Sequence, residues 1–470
     1  MSDPLQCPLR AAAETWPQAP ALMGERTISY AELDLRVARA AWTLREAREP
    51  GSRVGLYLPQ DERYVVLLLA LLRAGLVAAP VSNRVPAAGV PQLLERAGCS
   101  ALISTAELSS ALPDGVRVLE ADDVPDGDAE LPGGERRLDD PATVVFTSGS
   151  TGVPKAALHS LGNHYYSALG SNQNIPLAPG DRWLAPLPFY HVGGLGVLFR
   201  CLLSGAAIAL PHPGEPVGEA AVRLGVTHAS LVATQLLRLL REEQAPETLR
   251  AALLGGGAMP ETLLDAATEA GLPVHTSYGM TETASQVTTT PPGASREALR
   301  TSGRTLPHRE LRISDEGEVL IRGRTLFLGY LDGDELRDPT DGEGWFHTGD
   351  LGELDADGSL TVRGRLDNMF VSGGENVQPE EIESALKRLP GVEEAVVVPV
   401  PDAEFGQRPA AFVRAGGAFE AGTLYAGLET LPRFMIPVAF HPWPEAASGG
   451  MKPDRALLAR LARESRDRAR

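Results

Sequence analysis

Phe146-Thr147-Ser148-Gly149-Ser150-Thr151-Gly152-Val153-Pro154-Lys155 is a small-residue stretch that ends on a lysine and directly follows an apolar run, Thr143 to Phe146, in a chain of 470 residues. The apolar run reads as a strand, and the glycines after it break the strand into a loop. Glycine lets a backbone approach a ligand closely, while hydroxyls and amide hydrogens can surround phosphate oxygens. Lys155 adds a positive charge, so the stretch reads as a phosphate cradle. A flexible loop is the plainer reading of such residues taken alone. The common nucleotide loop, Gly-x-x-x-x-Gly-Lys-Ser/Thr, does not fit here, and the chain has no Gly-x-Ser-x-Gly hydrolase turn.

Outward from this loop the pattern is α/β. Leu33, Val37, Ala40, Ala41 and Leu44 recur at helical spacing, and 53–58 follows as a strand. The alternation continues with a helix over 63–74, a strand over 77–81, a helix over 90–97 and a strand over 101–104. Further strands are expected at 143–146, 206–210 and 251–254, and together they imply a parallel sheet covered by helices. Between 310 and 364 the texture shifts to short β-like pieces separated by Asp-Gly and Gly-Glu turns, a β-rich subdomain. After Arg365 a fresh pattern begins, with a helix from Pro379, a strand over 394–400 and a last helix from Asp454. The expected fold class is α/β: a large N-terminal domain (1–365) of α/β layers plus the β-rich subdomain, and a small mobile α+β C-terminal domain (366–470). The arginine-rich tail reads as a solvated helical face.

Composition narrows the function. Hydrophobic residues make up 43% and charged residues 22%, ordinary globular usage. A formal net charge of -18 repels a polyanion, so nucleic acid is excluded as a partner and any basic site is local. Cys7, Cys99 and Cys201 match no metal-ligand spacing and no secreted disulfide framework, which fits a reducing, cytoplasmic setting. No signal peptide is visible, and the longest apolar run, 65–72, is far short of the roughly 20 residues that cross a bilayer. The oligomeric state is open, a homodimer among the options.

Three more strings follow the loop in order: Tyr278-Gly279-Met280-Thr281-Glu282, Thr348-Gly349-Asp350 and Gly364-Arg365-Leu366-Asp367. With the loop, they resemble the ordered motifs of the adenylate-forming superfamily, which includes acyl-CoA synthetases, luciferases and peptide-synthetase adenylation domains. The resemblance runs from about Ile28 to about Leu458. It implies attack of a carboxylate on the α-phosphate of ATP with Mg²⁺, a meeting of two anions that needs charge neutralisation and in-line positioning. By this resemblance Thr147, Ser148, Gly149, Ser150, Thr151, Gly152 and Lys155 hold the phosphates, and Thr281 contacts the α-phosphate. Glu282 holds the metal, and Gly255, Gly256 and Gly257 with Tyr278 and Gly279 enclose the adenine. Asp350 and Arg365 take the ribose. Lys452 of the C-terminal domain reaches the reacting oxygens, and Asp367 is the hinge. The family's Ser-Gly-Lys is here Ser448-Gly449-Gly450-Met451-Lys452, an insertion that leaves an exposed lysine as the alternative. Outside the family context the other residues have plain readings too: a surface carboxylate, a core tyrosine, strand-end turns.

Pro188 to Gly196 resembles the segment lining the acyl pocket, with His191 closing the carboxylate end; a structural histidine is the alternative. Ser277 is a further substrate-side candidate. Arg200 lies in an otherwise apolar, small or cysteine run, 195–203, where burial is costly without an anion. That anion is either a protein carboxylate or a second carboxylate on the substrate. The segment from Val371 to Glu383 resembles the loop bordering the thiol tunnel of CoA ligases, which favours coenzyme A as acyl acceptor. Blocks 168–171, 187–200 and 279–286 look most like the 2-succinylbenzoate-CoA ligases of menaquinone synthesis, whose substrate has two carboxylates. Other readings are a ligase for another aryl or short-chain acid, a carrier-loading adenylation domain, and a catalytically silent nucleotide-binding protein.

Overall fold

The helical spacing noted above becomes the helix Tyr30–Ala47, which buries Leu33, Val37, Ala40, Ala41 and Leu44. Ser29 caps it, its side chain accepting a hydrogen bond from Glu32 N at 3.2 Å. The apolar run falls in the helix Glu62–Arg73, capped by Asp61 and buried nearly all round, so it is core. Among the described residues no helix is long and apolar enough to cross a membrane. This computed structural model describes residues 4–104, 112, 116–120, 131, 135–147, 154–242, 245–257, 259–372, 375–402, 405–416, 421–428, 431–444 and 454–468.

The chain forms two compact units: Met1–Met259 with Leu263–Leu311 and Ile321–His347, and Pro260–Thr262 with Arg312–Leu320 and Thr348–Arg470. Where the sequence implied one sheet, the described residues of the first unit form two large ones, beside a two-stranded pair of Pro4–Gln6 with Glu135–Arg137. The eight-stranded sheet runs in the order Glu335–Arg337, Gly329–Asp332, Lys155–Ser160, Pro141–Thr147, Val77–Pro80, Arg53–Tyr57, Ala101–Ser104, Arg117–Glu120. From Pro141–Thr147 onward its strands are parallel, and at the other end they are antiparallel. The reason is local: the connection between Thr147 and Lys155 is too short for a crossover, so the two strands must form a hairpin.

The nine-stranded sheet runs Arg304–Thr305, Ser285–Thr289, Val274–Met280, Ala251–Leu254, His228–Leu231, Arg182–Leu184, Ala207–Ala209, Pro20–Met23, Thr27–Ser29. Its middle is parallel, and antiparallel strands close both edges. The strands Arg309–Ile313, Glu318–Gly323, Phe346–Leu354 and Leu360–Arg365 supply the expected β-rich stretch.

In the second unit the helix Pro379–Lys387 opens with proline and two glutamates in its first turn, a favourable start. The strands Val392–Asp402 and Gly406–Ala415 pair antiparallel, and Phe440–Pro442 adds in parallel. The arginine-rich tail is the helix Arg455–Arg468, and it is not solvated all round: Leu458 and Ala462, one turn apart, are buried with Val396, Val398 and Phe412.

Candidate active site

In the first unit, Thr147 and Lys155 pair across the hairpin that carries the phosphate-cradle loop. Ser148, Gly149, Ser150, Thr151 and Gly152 lie outside the described residues. Lys155 Nζ stands 4.8 Å from the centre of the Tyr330 ring, on the adjoining strand. The Tyr330 hydroxyl in turn donates to Glu282 Oε1 at 2.6 Å. Tyr330 therefore joins the loop lysine to the carboxylate of the second motif.

Leu254 pairs with Thr276 in parallel register, so Gly255-Gly256-Gly257, which leave one strand, and Ser277-Tyr278, which continue its neighbour Val274–Met280, lie toward the same carboxyl end. That end is where α/β sheets bind ligands. Ser277 Oγ donates to Leu254 O at 2.7 Å. Gly279 is required by its surroundings, since a Cβ there would lie 2.1 Å from Ser285 O. Beyond it, Thr281–Thr283 makes one 3₁₀ turn. Glu282 O accepts from Phe327 N at 2.8 Å, and Thr281 O accepts from His159 Nε2 at 2.7 Å. Burial pushes the His159 imidazole down to about 4, so it is neutral and holds that Nε2 hydrogen at ordinary pH.

His191 precedes the helix Val192–Leu202 and meets Tyr190 edge-on, ring centres 4.7 Å apart. Arg200, on the same helix, is 1% exposed. Its Nη2 donates to Ser285 Oγ at 3.1 Å and to Gln286 Oε1 at 2.7 Å, and its guanidinium lies 4.9 Å from the Trp183 ring centre. Nε and Nη1 are buried with no acceptor among the described residues. Among the described residues no carboxylate pairs with it, and burial pushes it down to about 10. An uncompensated buried cation is expensive, and an anionic ligand is what relieves it.

In the second unit, Asp350 and Arg365 are cross-strand partners, with Arg365 Nη1 donating to Asp350 Oδ1 at 2.9 Å and to Thr348 O at 2.8 Å. Arg365 Nη2 reaches Asp367 Oδ2 at 3.2 Å. The third motif and the hinge motif are thus tied through one guanidinium. Lys452 lies outside the described residues.

A family model described as AMP-binding enzyme matches residues 9–331, and one described as AMP-binding enzyme C-terminal domain matches residues 381–445. The chain belongs to the AMP-binding enzyme family. This AMP-binding enzyme is 38% identical over 450 residues to the 2-succinylbenzoate–CoA ligase of Salmonella typhimurium, with 94% of each chain covered. It is similar to o-succinylbenzoate CoA synthetase from Bacillus subtilis in complex with the acyl-adenylate intermediate OSB-AMP, with 32% identity, TM-score 0.87, and 97% and 98% of the two chains covered. The same Bacillus subtilis enzyme in complex with ATP and magnesium ion matches with 31% identity, TM-score 0.84, and 94% and 96% covered.

For this AMP-binding enzyme, sequence reasoning missed Tyr330, His159, Trp183 and Arg309. Tyr330 follows Gly329 in a stretch read only as β texture, and nothing local marks its partners. His159 carries a weak signal, a polar residue directly after the apolar run Ala156 to Leu158.

Proposed function

We propose that this enzyme converts 2-succinylbenzoate, ATP and CoA to 2-succinylbenzoyl-CoA, AMP and pyrophosphate, a step of menaquinone biosynthesis. The observation that carries the substrate reading is Arg200, buried with no carboxylate partner, and with no acceptor for two of its nitrogens, among the described residues. It receives the carboxylate that is not activated. In the first step an oxygen of the other carboxylate bonds to the α-phosphorus, and the bond to the pyrophosphate oxygen breaks. In the second, the CoA sulfur bonds to the acyl carbon, AMP departs with the C–O electron pair, and the thiol proton is lost.

Lys155 and the cradle Thr147 to Gly152 neutralise phosphate charge, and Thr281 adds a contact to the α-phosphate. Gly255, Gly256, Gly257, Tyr278 and Gly279 bound the adenine; Asp350, held by Arg365, accepts from the ribose hydroxyls. His191 and Ser277 flank the acid, and Lys452 supports the adenylation transition state. Asp367 is the hinge at which the C-terminal domain, 366–470, reorients between steps. Among the described residues no cluster of three or more metal-ligating side chains occurs, and Glu282 has one oxygen bound to Tyr330. That donor set fits Mg²⁺, which binds through one or two carboxylates and substrate phosphates. Bound there, the ion supplies charge neutralisation on the phosphates.

The test is CoA-dependent AMP release with 2-succinylbenzoate, benzoate, a medium-chain fatty acid and several amino acids. A strong preference for 2-succinylbenzoate is expected. Equal or better turnover of another acid would overturn the substrate, and AMP formation that free CoA never accelerates would overturn the acceptor.

A further inference from the structure

Arg309 is a second buried guanidinium, 6% exposed. Its Nε donates to Gln286 O at 2.7 Å, its Nη1 to Pro307 O at 2.7 Å, and its Nη2 to Ser167 O at 3.1 Å and Ser167 Oγ at 3.4 Å. Gln286 also accepts from Arg200 Nη2 through its side chain, while its Nε2 donates to Thr289 Oγ1 at 2.6 Å. One residue thus holds both cations, its backbone against Arg309 and its side chain against Arg200. Among the described residues neither arginine meets a carboxylate. Burial pushes Arg309 down to about 9, and the charge of Arg200 pushes the same way. The two positive charges are therefore unfavourable neighbours in the protein alone, and a negative charge brought by a ligand stabilises both.

The roles of the two differ. Each nitrogen of Arg309 has a protein acceptor, so it is committed to the scaffold, whereas Arg200 has nitrogens left for a ligand. Gly170 makes room for this arrangement: a Cβ there would lie 2.4 Å from Arg309 Nη1 and 2.7 Å from Pro307 O.

We propose that Arg309 is a positioning residue for acid selection: it fixes the Gln286 backbone, through which Arg200 is aimed, and places a second buried positive charge behind it, favouring an acid with a second carboxylate. This deepens the reading of Arg200 given above and rests on it.

The experiment compares KM and kcat of adenylation for 2-succinylbenzoate and for its analogue with the remote carboxylate amidated, in the wild type, Arg309→Gln, Arg309→Lys, Gly170→Ala and Arg200→Gln. Arg309→Gln is expected to raise KM for the diacid about tenfold more than KM for the amide. Arg309→Lys recovers part of that difference because it keeps the charge, and Gly170→Ala reproduces it because it displaces the guanidinium. Should Arg309→Gln fail to fold, Gly170→Ala carries the test. Equal losses on both acids in the Arg309 and Gly170 variants, with Arg200→Gln still discriminating, would make Arg309 merely structural and overturn the proposal alone. Failure of Arg200→Gln itself to discriminate would overturn the reading on which the proposal rests.

Discussion

Tyr330 donates its hydroxyl to Glu282 Oε1 at 2.6 Å while Lys155 lies over the same ring. The bond fixes which carboxylate oxygen is left for a metal, and the ring fixes where the lysine stands. Removing the hydroxyl alone separates these two effects. Tyr330→Phe is expected to keep the lysine over the ring but free the carboxylate, at a cost of about 1.5 kcal/mol, or roughly tenfold in the Mg²⁺ concentration needed for half-maximal adenylation. Tyr330→Leu removes both supports and is expected to raise KM for ATP as well. A Mg²⁺ titration of pyrophosphate release checks both variants, and unchanged titrations would show that Glu282 is positioned by other groups.

Arg200→Gln leaves the Ser285 and Gln286 side of the pocket polar but withdraws the charge. The expected loss in kcat/KM is on the order of 10²-fold for 2-succinylbenzoate and only a few-fold for a monocarboxylate analogue, because a site built to bind a polar group discriminates strongly against its absence. Parallel progress curves on the two acids provide the check. Equal losses would assign Arg200 to the scaffold, as its stacking on Trp183 would then explain.

What the sequence made legible was local. The helical period of Leu33, Val37, Ala40, Ala41 and Leu44 predicts its helix, because burial of one face dictates that spacing. The apolar surroundings of Arg200 likewise announced a buried charge. Its partners were not legible: Ser285 and Gln286 lie 85 and 86 residues further on, and the packing of the helix Val192–Leu202 against the strand Ser285–Thr289 brings them back. Tyr330 reaches Glu282 for the same kind of reason, since its strand pairs antiparallel with Lys155–Ser160. Arg309 sits among polar neighbours and looks like a surface residue in sequence. Its guanidinium is enclosed by Gln286, Pro307 and Ser167, and it lies so close to Gly170, far away in the chain, that a Cβ there would be 2.4 Å from Nη1.

Lys452→Ala tests the use of two domain orientations. If the lysine serves only the first step, the substitution slows acyl-adenylate formation on the order of 10²-fold, the usual cost of losing one charge-stabilising donor. Thioester formation from preformed 2-succinylbenzoyl-adenylate and CoA is expected to keep most of its rate. Single-turnover measurements of each half-reaction give the comparison, and equal losses in both would remove Lys452 from the adenylation step.

Burial pushes both His159 and His228 down to about 4 from the ordinary 6.5. Both are neutral in the folded protein at neutral pH, and between the two values the unfolded chain binds more protons. Their contribution to stability is therefore complete above about pH 6.5 and is lost as pH falls toward 4, at up to roughly 1.4 kcal/mol per pH unit for each residue. His159→Gln is expected to flatten the decline in urea midpoint between pH 6.5 and 4.5 by about one proton's worth. At pH 7.5 the same variant is expected to slow adenylation several-fold, because the bond from His159 Nε2 that steadies Thr281 O is weakened. Unchanged pH slopes would mean that His159 is protonated in the folded protein. In that case the imidazolium, and not the neutral imidazole, would be the species that holds the second motif in place.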